Sequence, residues 1–502
     1  MGAPSATGGR TGPADRPGGR RRTPSRRPVA ARRGAGPPAD PARRVAYDVL
    51  SAVTGRGAYA NLLLTAMLSE RGLRGQDAAL ATELVYGTLR ARGSYDAVIA
   101  LAADRDLERI DPPVREVLRL GAHQLLGMRV KPHAAVATSV DLAVAVAGRR
   151  PSGFVNAVLR RVAMQDLESW IAIAAPDRAA DLIGHLSVRY SHPRWIVAAL
   201  ADALGDDPAA GLAETEAALA ADLEPPAVTL CAVPGLASTD ELIAAGAEPA
   251  RWSPFGGYLA SGDPGMITAV SERRAAVQDE ASQLAALALS RVPASGGDGR
   301  WLDMCAGPGG KARLLAGLAA GQRAFLVAAD VREHRARLAG RSISGIGHAA
   351  AVAADGTAPA WREAAFDRVL ADVPCSGLGS LRRRPEVRWR RTADDVSAMT
   401  DLQLRLLLGA IDSVRPGGTV AYVTCSPHVA ETRQVIGDAL QRRDDLEVLD
   451  APGVLPEVAD LRCPEPYGSY AQFWPHRHGT DAIFVALLRR NGGADRQTGR
   501  AG

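Results

Sequence analysis

The feature that most constrains the fold is a regular alternation of apolar runs and helical stretches between residues 299 and 490. Runs with the length and composition of buried strands lie at residues 301–304, 325–329, 349–354, 366–371, 419–424 and 483–488. Helical stretches separate them, notably at residues 311–320 and 394–414. Apolar runs that are continuous rather than alternating are typical of a parallel sheet covered on both faces. The sequence therefore predicts a doubly wound, Rossmann-like α/β domain over residues 291–490, with ligands beyond the carboxyl ends of its strands.

The segment before this domain has a different periodicity. Over residues 44–165, apolar side chains recur at helical spacing and no strand-like alternation competes with them. We predict an all-α bundle of five to seven helices, whose last segment places Arg160 and Arg161 beside an apolar face. Residues 166–290 are mixed: helices are expected at 192–204 and 209–221 and a strand at 227–233, which indicates a small linking α/β module.

The two ends of the chain have little to bury. Residues 1–43 are rich in Gly, Pro, Ser, Ala and Arg, and we expect a disordered tail there and a flexible tail at residues 491–502. Eleven Arg against Asp15 and Asp40 give residues 1–44 a charge of +9, although the whole chain is only +5. This tail either adds salt-sensitive affinity for a phosphate backbone or only improves solubility, and the sequence leaves both interpretations open.

Composition excludes several classes of protein. The 502 residues are 47% hydrophobic and 23% charged, which is ordinary for a globular protein of several domains. No apolar run approaches the ~18–20 residues of a membrane span, and no signal-peptide stretch begins the chain. Five cysteines without a CxxC pair predict reduced thiols and no metal site. We therefore expect a cytoplasmic protein, monomeric, with no membrane partner.

A glycine-rich turn follows the first predicted strand and opens a helix. It reads Asp303-Met-Cys-Ala-Gly-Pro-Gly-Gly-Lys311, and such a turn lets the backbone approach a ligand closely. It is not a phosphate-binding P-loop, because Ala312 replaces the Ser or Thr that would hold magnesium. It does not match GxGxxG either. The residues predicted to form this cofactor loop are Cys305, Ala306, Gly307, Pro308, Gly309, Gly310 and Lys311.

Carboxylates end the next two predicted strands. Asp330 lies twenty residues after Gly310, where an acidic side chain can accept both hydroxyls of a ribose. Asp355 ends the third strand, where it can reach an adenine amino group. A ligand with ribose and adenine but no required pyrophosphate site suggests S-adenosylmethionine. Alternatively, each Asp merely caps the helix that follows.

Cysteines follow the fourth and fifth strands. The fourth runs into Asp372-Val-Pro-Cys375 and the fifth into Thr424-Cys425-Ser426. A lone cysteine is usually buried and inert, but two at the ligand edge of neighbouring strands are suited to nucleophilic chemistry.

These motifs, in this order, resemble the motif set of the RNA 5-methylcytosine methyltransferases. The helical segment resembles NusB in Glu83-Leu-Val-Tyr-Gly-Thr-Leu-Arg90, Gly121-Ala-His-Gln-Leu-Leu-Gly-Met128 and Gly153-Phe-Val-Asn-Ala-Val-Leu-Arg-Arg161. The pairing of a NusB-like domain with such a catalytic domain resembles the Sun/Fmu-like (RsmB) family, which methylates a cytosine in small-subunit ribosomal RNA.

The resemblance implies a role for each matching residue. Cys425 would be the nucleophile that bonds to C6 of the cytosine, and Cys375 would assist release of the methylated product. Asp372 would contact the target base and also the cofactor. Asp330 would hold the ribose and Asp355 the adenine of S-adenosylmethionine.

An arginine-rich segment resembles the family's loop near the RNA. Arginines and an aromatic ring together can hold phosphate and stack a base, whereas a solvated charge run is the alternative. The predicted RNA contacts are Arg382, Arg383, Arg384, Arg388 and Trp389, together with Arg160 and Arg161. Ala312 and Ala482 depart from the family's usual Thr and Gly, which affects the expected shape of the pocket edge.

Three other functions compete with methylation of small-subunit ribosomal RNA. The same chemistry could act on another RNA, such as transfer RNA, and only the resemblance of the helical domain to NusB favours small-subunit ribosomal RNA. A non-catalytic RNA-binding protein on a decayed methyltransferase fold is disfavoured because both cysteines, Asp372 and the glycine turn are present. A nicotinamide-dependent oxidoreductase would need a GxGxxG match and would leave the paired cysteines without a role.

Overall fold

The computed structural model describes residues 40–128, 130–205 and 208–492. Most of the two predicted tails therefore lies outside the described residues. The boundary of the first tail is corrected, because residues 41–43 are helical. Pro41 occupies the first helical turn, and the Asp40 carboxylate accepts a hydrogen bond from the Arg43 amide (2.9 Å).

The N-terminal helices pack around one apolar core, as the sequence predicts. They are α1 (Pro41–Arg56), α2 (Ala60–Glu70), α3 (Gly75–Arg90), α4 (Arg92–Ala103), α5 (Pro112–Ala122), α6 (Pro132–Ala147), α7 (Ser152–Val162) and α8 (Leu167–Ala174), with a π-helical turn His123–Gly127 after α5. Helix α8, which follows the predicted end of this bundle at residue 165, also packs on the bundle. Trp170 of α8 is part of the core, and its indole Nε1 donates to the Val162 carbonyl (2.9 Å).

The NusB-like motifs make contacts inside the bundle. His123 lies 3.3 Å from the Glu83 carboxylate and 3.0 Å from the Tyr95 hydroxyl. A Cβ on Gly87 would approach the His123 ring to 2.2 Å, so only glycine fits there. These residues therefore hold helices together rather than face a ligand.

The middle region contains more strands than predicted. Its elements are α9 (Leu182–Arg189), α10 (Arg194–Leu204), α11 (Pro208–Ala221), β1 (Val228–Ala232), α12 (Thr239–Ala244), β2 (Glu248–Pro249), β3 (Gly256–Leu259), α13 (Thr268–Ser271) and β4 (Ala275–Val277). The strands form an antiparallel sheet in the order β2-β3-β1-β4, of which the sequence predicted only β1. The other three have two to four residues, too few to show a periodicity.

The remaining elements form the predicted α/β domain. They are α14 (Glu280–Arg291), β5 (Arg300–Asp303), α15 (Gly310–Gly321), β6 (Phe325–Asp330), α16 (Glu333–Ile343), β7 (Ala349–Ala353), β8 (Phe366–Asp372), α17 (Ala393–Ser413), β9 (Val414–Thr424), α18 (Arg433–Arg442), β10 (Leu446–Leu449), β11 (Ala471–Gln472), α19 (Pro475–His478) and β12 (Phe484–Arg490). Helix α14, which precedes the predicted start of this domain at residue 291, packs in the core beneath the sheet.

The sheet is parallel over most of its width but not at one edge. Its order is β10-β12-β9-β8-β5-β6-β7, and the five strands from β9 to β7 pair in parallel, as predicted. Strand β12 instead runs antiparallel to β9, and β10 and β11 run antiparallel to β12. The apolar pattern does not reveal this direction, because a strand buried on both faces is apolar whichever way it runs.

Among the described residues, no helix combines the length and apolar character needed to cross a bilayer.

A short 3₁₀ segment of the α/β domain, Pro385–Trp389, lies against the helical bundle. Arg388 in this segment is fully buried, and its guanidinium donates to the carbonyls of Arg90 and Asp222, each at 2.7 Å. Burial lowers the Arg388 pKa to about 10, so the side chain stays protonated at neutral pH. One side chain thus joins the bundle, the region after α11 and the α/β domain.

We predict that Arg388→Ala lowers the free energy of unfolding by about 2–4 kcal/mol, because two buried carbonyls lose a charged donor. Urea unfolding followed by circular dichroism measures the change. The matched control is Arg442→Ala at the exposed end of α18, which should remain within ~0.5 kcal/mol of the wild type. Equal unfolding curves for both variants would show that Arg388 does not hold the domains together.

Candidate active site

Parallel strands β5, β6, β8 and β9 end at one edge of the sheet, and a cavity of about 800 Å³ opens there. Asp372 and Val423 are register partners, so the loops that follow β8 and β9 leave the sheet side by side. The predicted site residues that line the cavity are Cys305, Gly307, Pro308, Lys311, Asp330, Asp355, Asp372, Cys375, Arg384 and Cys425.

The glycine turn connects β5 to α15, and its backbone leaves no room for a side chain at Gly307 or Gly309. Gly309 has φ +110°, and a Cβ there would lie 2.5 Å from the Cβ of Ser342. The Gly307 amide donates to the Asp330 carboxylate (3.2 Å), and a Cβ on Gly307 would lie 2.5 Å from the same oxygen. The missing side chain therefore lets Asp330 approach the turn. Ala306, Gly309 and Gly310 shape this turn without lining the cavity.

Lys311 and Asp372 form an ion pair inside the cavity, with 2.9 Å between Nζ and Oδ2. Burial lowers the Lys311 pKa, but the neighbouring Asp372 carboxylate outweighs it and the net shift is upward. Asp303 lies nearby, and its pKa is raised to about 8 by burial and by the charge of Asp372. The compact ammonium of Lys311 is therefore charged and balances Asp372.

The sulfur atoms of Cys375 and Cys425 lie 3.2 Å apart. The hydrogen bond that the Cys375 thiol donates lowers the Cys425 pKa below its ordinary value, although burial opposes this. Arg384 and Lys311 lower the Cys425 pKa further. The same hydrogen bond and burial raise the Cys375 pKa well above its ordinary value. The two opposite shifts make Cys425 the more acidic thiol of the pair, so that Cys425 loses a proton before Cys375 does.

A buried carboxylate that sequence reasoning missed holds the two cysteine loops together. Glu431 accepts hydrogen bonds from the Ser376 amide (2.7 Å), the Ser376 hydroxyl and the Gln403 side chain (3.0 Å). The Ser376 hydroxyl also lies 3.1 Å from that of Ser426, the residue after Cys425. Glu431 follows Cys425 by only six residues, but no local pattern signals that its side chain turns inward.

Asp355 lies at the rim of the cavity and is exposed. Its carboxylate accepts hydrogen bonds from the Thr357 hydroxyl (2.7 Å) and amide (2.8 Å), which hold the Asp355 pKa below its ordinary value. These contacts close a turn, and the described residues between β7 and β8 contain no helix, so Asp355 does not cap a helix. Its position at the cavity is compatible with the predicted contact to the cofactor.

The arginine-rich segment differs from the prediction at several positions. Arg382 and Arg388 are buried and donate to backbone carbonyls, so their guanidinium groups serve contacts within the protein. Arg383 pairs with Asp279 (2.9 Å) and Asp481 (3.1 Å). A run of arginines is expected to be exposed, whereas here carbonyls and carboxylates from other segments accept hydrogen bonds from Arg382, Arg383 and Arg388.

The other predicted RNA contacts have varied placements. Trp389 lies against Gly93 of the bundle, with the Arg92 guanidinium 5.3 Å from its ring, so it takes part in the contact between the bundle and the α/β domain. Arg160 and Arg161 are exposed on α7 and lie outside the cavity that holds the cysteines.

The cavity also contains residues that the sequence did not indicate. Gly57 and Tyr59 reach it from the helical bundle, and Asp481 lies at its wall. Further arginines line it at positions 335, 390, 391 and 405. Arg390 and Arg391 directly follow the segment predicted to contact RNA, so extending that segment by two residues would have included them.

Comparisons with known proteins agree with this architecture. The family model for 16S rRNA methyltransferase RsmB/F matches residues 292–489, and that of the NusB family matches residues 40–164. Ribosomal RNA small subunit methyltransferase B of Pseudomonas putida is 32% identical over 89% of this chain and 98% of its own length. A Mycobacterium tuberculosis protein, named only as a methyltransferase, is 50% identical over 90% of this chain and 97% of its own length.

A solved structure shares the fold. The crystal structure of PH0851 covers 90% of this chain and 99% of its own, with a TM-score of 0.71 at 22% identity. A NusB-like bundle joined to a Rossmann-like sheet with this glycine turn defines an RNA methyltransferase of two-domain architecture. The chain belongs to the RsmB/F family of 16S rRNA methyltransferases, which confirms the resemblance and the fold class inferred from its motifs.

We predict that Cys375→Ala shifts the pH dependence of Cys425 alkylation by about one unit to higher pH, because the thiolate loses a hydrogen bond. The rate of reaction with iodoacetamide, followed by peptide mass spectrometry between pH 6 and 9.5, measures this shift. The control is Cys463→Ala, which removes a buried thiol elsewhere in the fold. An unchanged profile, or a shift to lower pH, would contradict the assignment of Cys375 as donor.

Proposed function

We propose that this protein methylates C5 of a cytosine in 16S ribosomal RNA, with S-adenosylmethionine as donor and a covalent bond between Cys425 and C6. The observation that carries this proposal is the contact of two thiols, at 3.2 Å, in a cavity that also contains the glycine turn and the carboxylates at the strand ends. The family and the named relatives support the choice of substrate.

The cavity fits the proposed donor in size and in chemistry. Its volume of about 800 Å³ is within the range of small-molecule sites. Asp330 and Asp355 offer carboxylate oxygens to hydroxyl and amino groups, and the turn at Gly307 and Pro308 brings backbone close to the ligand. S-adenosylmethionine supplies a methyl group on a positively charged sulfur atom. Asp330 would hold its ribose, Asp355 its adenine, and Asp372 its charged methionine part.

The first step activates the base. C5 of cytosine is too weak a nucleophile to accept a methyl group directly. Attack of the Cys425 thiolate forms a bond to C6, and the π electrons of the C5–C6 bond then make C5 nucleophilic. The addition leaves an electron pair on N3, which takes a proton through Asp372 from the Lys311 ammonium that is hydrogen-bonded to this carboxylate. Asp372 also accepts a hydrogen bond from the N4 amino group, and the proton returns from N3 when the product is released. Carbon C5 would then form a bond to the methyl carbon while the bond from that carbon to the donor's sulfur breaks, so that S-adenosylhomocysteine leaves and the base remains attached to Cys425.

The second step releases the product. The bond to C6 removes the negative charge from Cys425, and with it the main cause of the raised Cys375 pKa. Cys375 can then lose its thiol proton to water and act, as a thiolate, as the base that removes the proton from C5. The electrons of that bond restore the C5–C6 double bond, and Cys425 leaves as a thiolate. The shared hydrogen bond forms again in the empty site.

Cations at the cavity are suited to an RNA backbone. Arg384, Arg390, Arg391 and Arg405 line it, and within the described ranges none of the four has a carboxylate oxygen inside 4.0 Å. Arginines without an acidic partner attract phosphates. The target cytosine must leave its stack to enter, because the thiolate attacks perpendicular to the base plane.

We expect Cys425→Ala to reduce methyl transfer by on the order of a thousandfold or more, since the base is no longer activated. Cys375→Ala should instead accumulate a covalent protein–RNA adduct that survives denaturing electrophoresis, because the C5 proton is not removed. Transfer of labelled methyl groups to protein-free 16S rRNA and to assembled small subunits measures activity. The control, Cys231→Ala, lies in β1 outside the cavity and should behave as the wild type.

Bisulfite sequencing of ribosomal and transfer RNA, from cells with and without the gene, identifies the methylated RNA. A single cytosine in 16S rRNA should lose its protection when the gene is absent. Methyl transfer that persists in Cys425→Ala would contradict the chemistry. Loss of protection only in transfer RNA would retain the chemistry and reject the substrate.

A further inference from the structure

The helical bundle contributes an aromatic side chain to the active-site cavity. Tyr59 lies immediately before α2, after the turn at Gly57 that ends α1, and both residues line the cavity that contains Cys375 and Cys425. Tyr59 is 48% exposed, which is high for a large aromatic residue. Tyr59 does not belong to the apolar core of the bundle, so packing in that core does not account for its position.

An arginine from the α/β domain holds this ring. The Arg390 guanidinium lies 4.9 Å from the centre of the Tyr59 ring, and its Nη2 donates to the carbonyl of Ala58, the preceding residue. The cation–π contact and the hydrogen bond together fix the ring at the wall of the cavity. Nearly half of Tyr59 stays accessible despite this contact, so its aromatic surface remains open to a ligand.

The surroundings of the ring suit a nucleotide better than the methyl donor. The residues suited to the donor lie on the loops after β5, β6 and β7, whereas Tyr59 belongs to another domain and lies beside arginines of the segment before α17. An exposed ring with nearby cations that lack acidic partners is the arrangement on which unpaired nucleotides stack, with their phosphates held by the cations.

We propose that Tyr59, positioned by Arg390, stacks on an unpaired RNA base adjacent to the target cytosine. The helical bundle then forms part of the substrate site itself, and stacking of the neighbour helps to keep the target base out of its own stack. This inference rests on the proposed function, because it takes the occupant of the cavity to be RNA.

Steady-state kinetics with three variants tests the proposal. Tyr59→Ala should raise KM for protein-free 16S rRNA on the order of tenfold, which corresponds to the loss of one base–aromatic stack. Tyr59→Phe retains the ring and should stay within about twofold of the wild type. The matched control is Leu62→Ala: Leu62 is 68% exposed on α2, the helix that follows Tyr59, and does not line the cavity. KM for S-adenosylmethionine should not change in any of them.

A fluorescence measurement on the wild-type protein does not depend on how a variant folds. Oligonucleotides copied from the RNA around the methylated cytosine carry 2-aminopurine at one position each. Stacking on Tyr59 should quench the probe at a position next to the target and not at distant unpaired positions. Tyr59→Phe should retain the quenching and Tyr59→Ala should lose it.

The outcomes separate this inference from the proposed function. If 5-methylcytosine still forms while Tyr59→Ala leaves both KM and the quenching unchanged, the stacking role is wrong and the proposed function stands. Failure of the wild-type protein to form 5-methylcytosine in any RNA would overturn the proposed function, whatever Tyr59 does. A loss of activity in Tyr59→Ala that appears only in kcat would also overturn the stacking role.

Discussion

The proposed chemistry depends on two cysteine sulfur atoms that lie within hydrogen-bonding distance of each other at the end of a parallel sheet. Cys375 and Cys425 come from neighbouring strands β8 and β9, and their 3.2 Å contact makes one thiol a donor to the other. Glu431 helps to fix this spacing, because its carboxylate accepts hydrogen bonds from both the amide and the hydroxyl of Ser376. A buried carboxylate in that position is stabilised only while its donors remain in place, so the loops cannot separate without leaving it unpaired.

The contact between the domains serves the same site. Arg388 is buried between the bundle and the α/β domain, and Arg390, two residues later, holds Tyr59 at the cavity wall. One short segment therefore both joins the domains and completes the cavity. This explains why a run of arginines that looks like an RNA-binding surface is partly buried: some of its members satisfy carbonyls and others remain available to a ligand.

Local patterns were sufficient to predict the glycine turn, the strand-end carboxylates and both cysteines, because each depends on its position along one strand and the turn after it. The direction of β12 was not predictable, since burial on both faces removes the alternation that would distinguish it. Nor were the burial of Arg388 and the inward position of Glu431, which depend on segments far away in sequence. Tyr59 lines the cavity only because the helical bundle packs against the α/β domain, and no local sequence pattern indicates that contact.

The most direct test of the account uses RNA that contains 5-fluorocytidine at the methylated position. Fluorine replaces the C5 proton that Cys375 would remove, so the bond between enzyme and base should persist after methyl transfer. Digestion of the complex with protease and nuclease, followed by mass spectrometry, locates that bond. The account predicts a methylated fluorocytidine nucleotide attached to the peptide that contains Cys425. Attachment through Cys375, or no covalent complex at all, would contradict it.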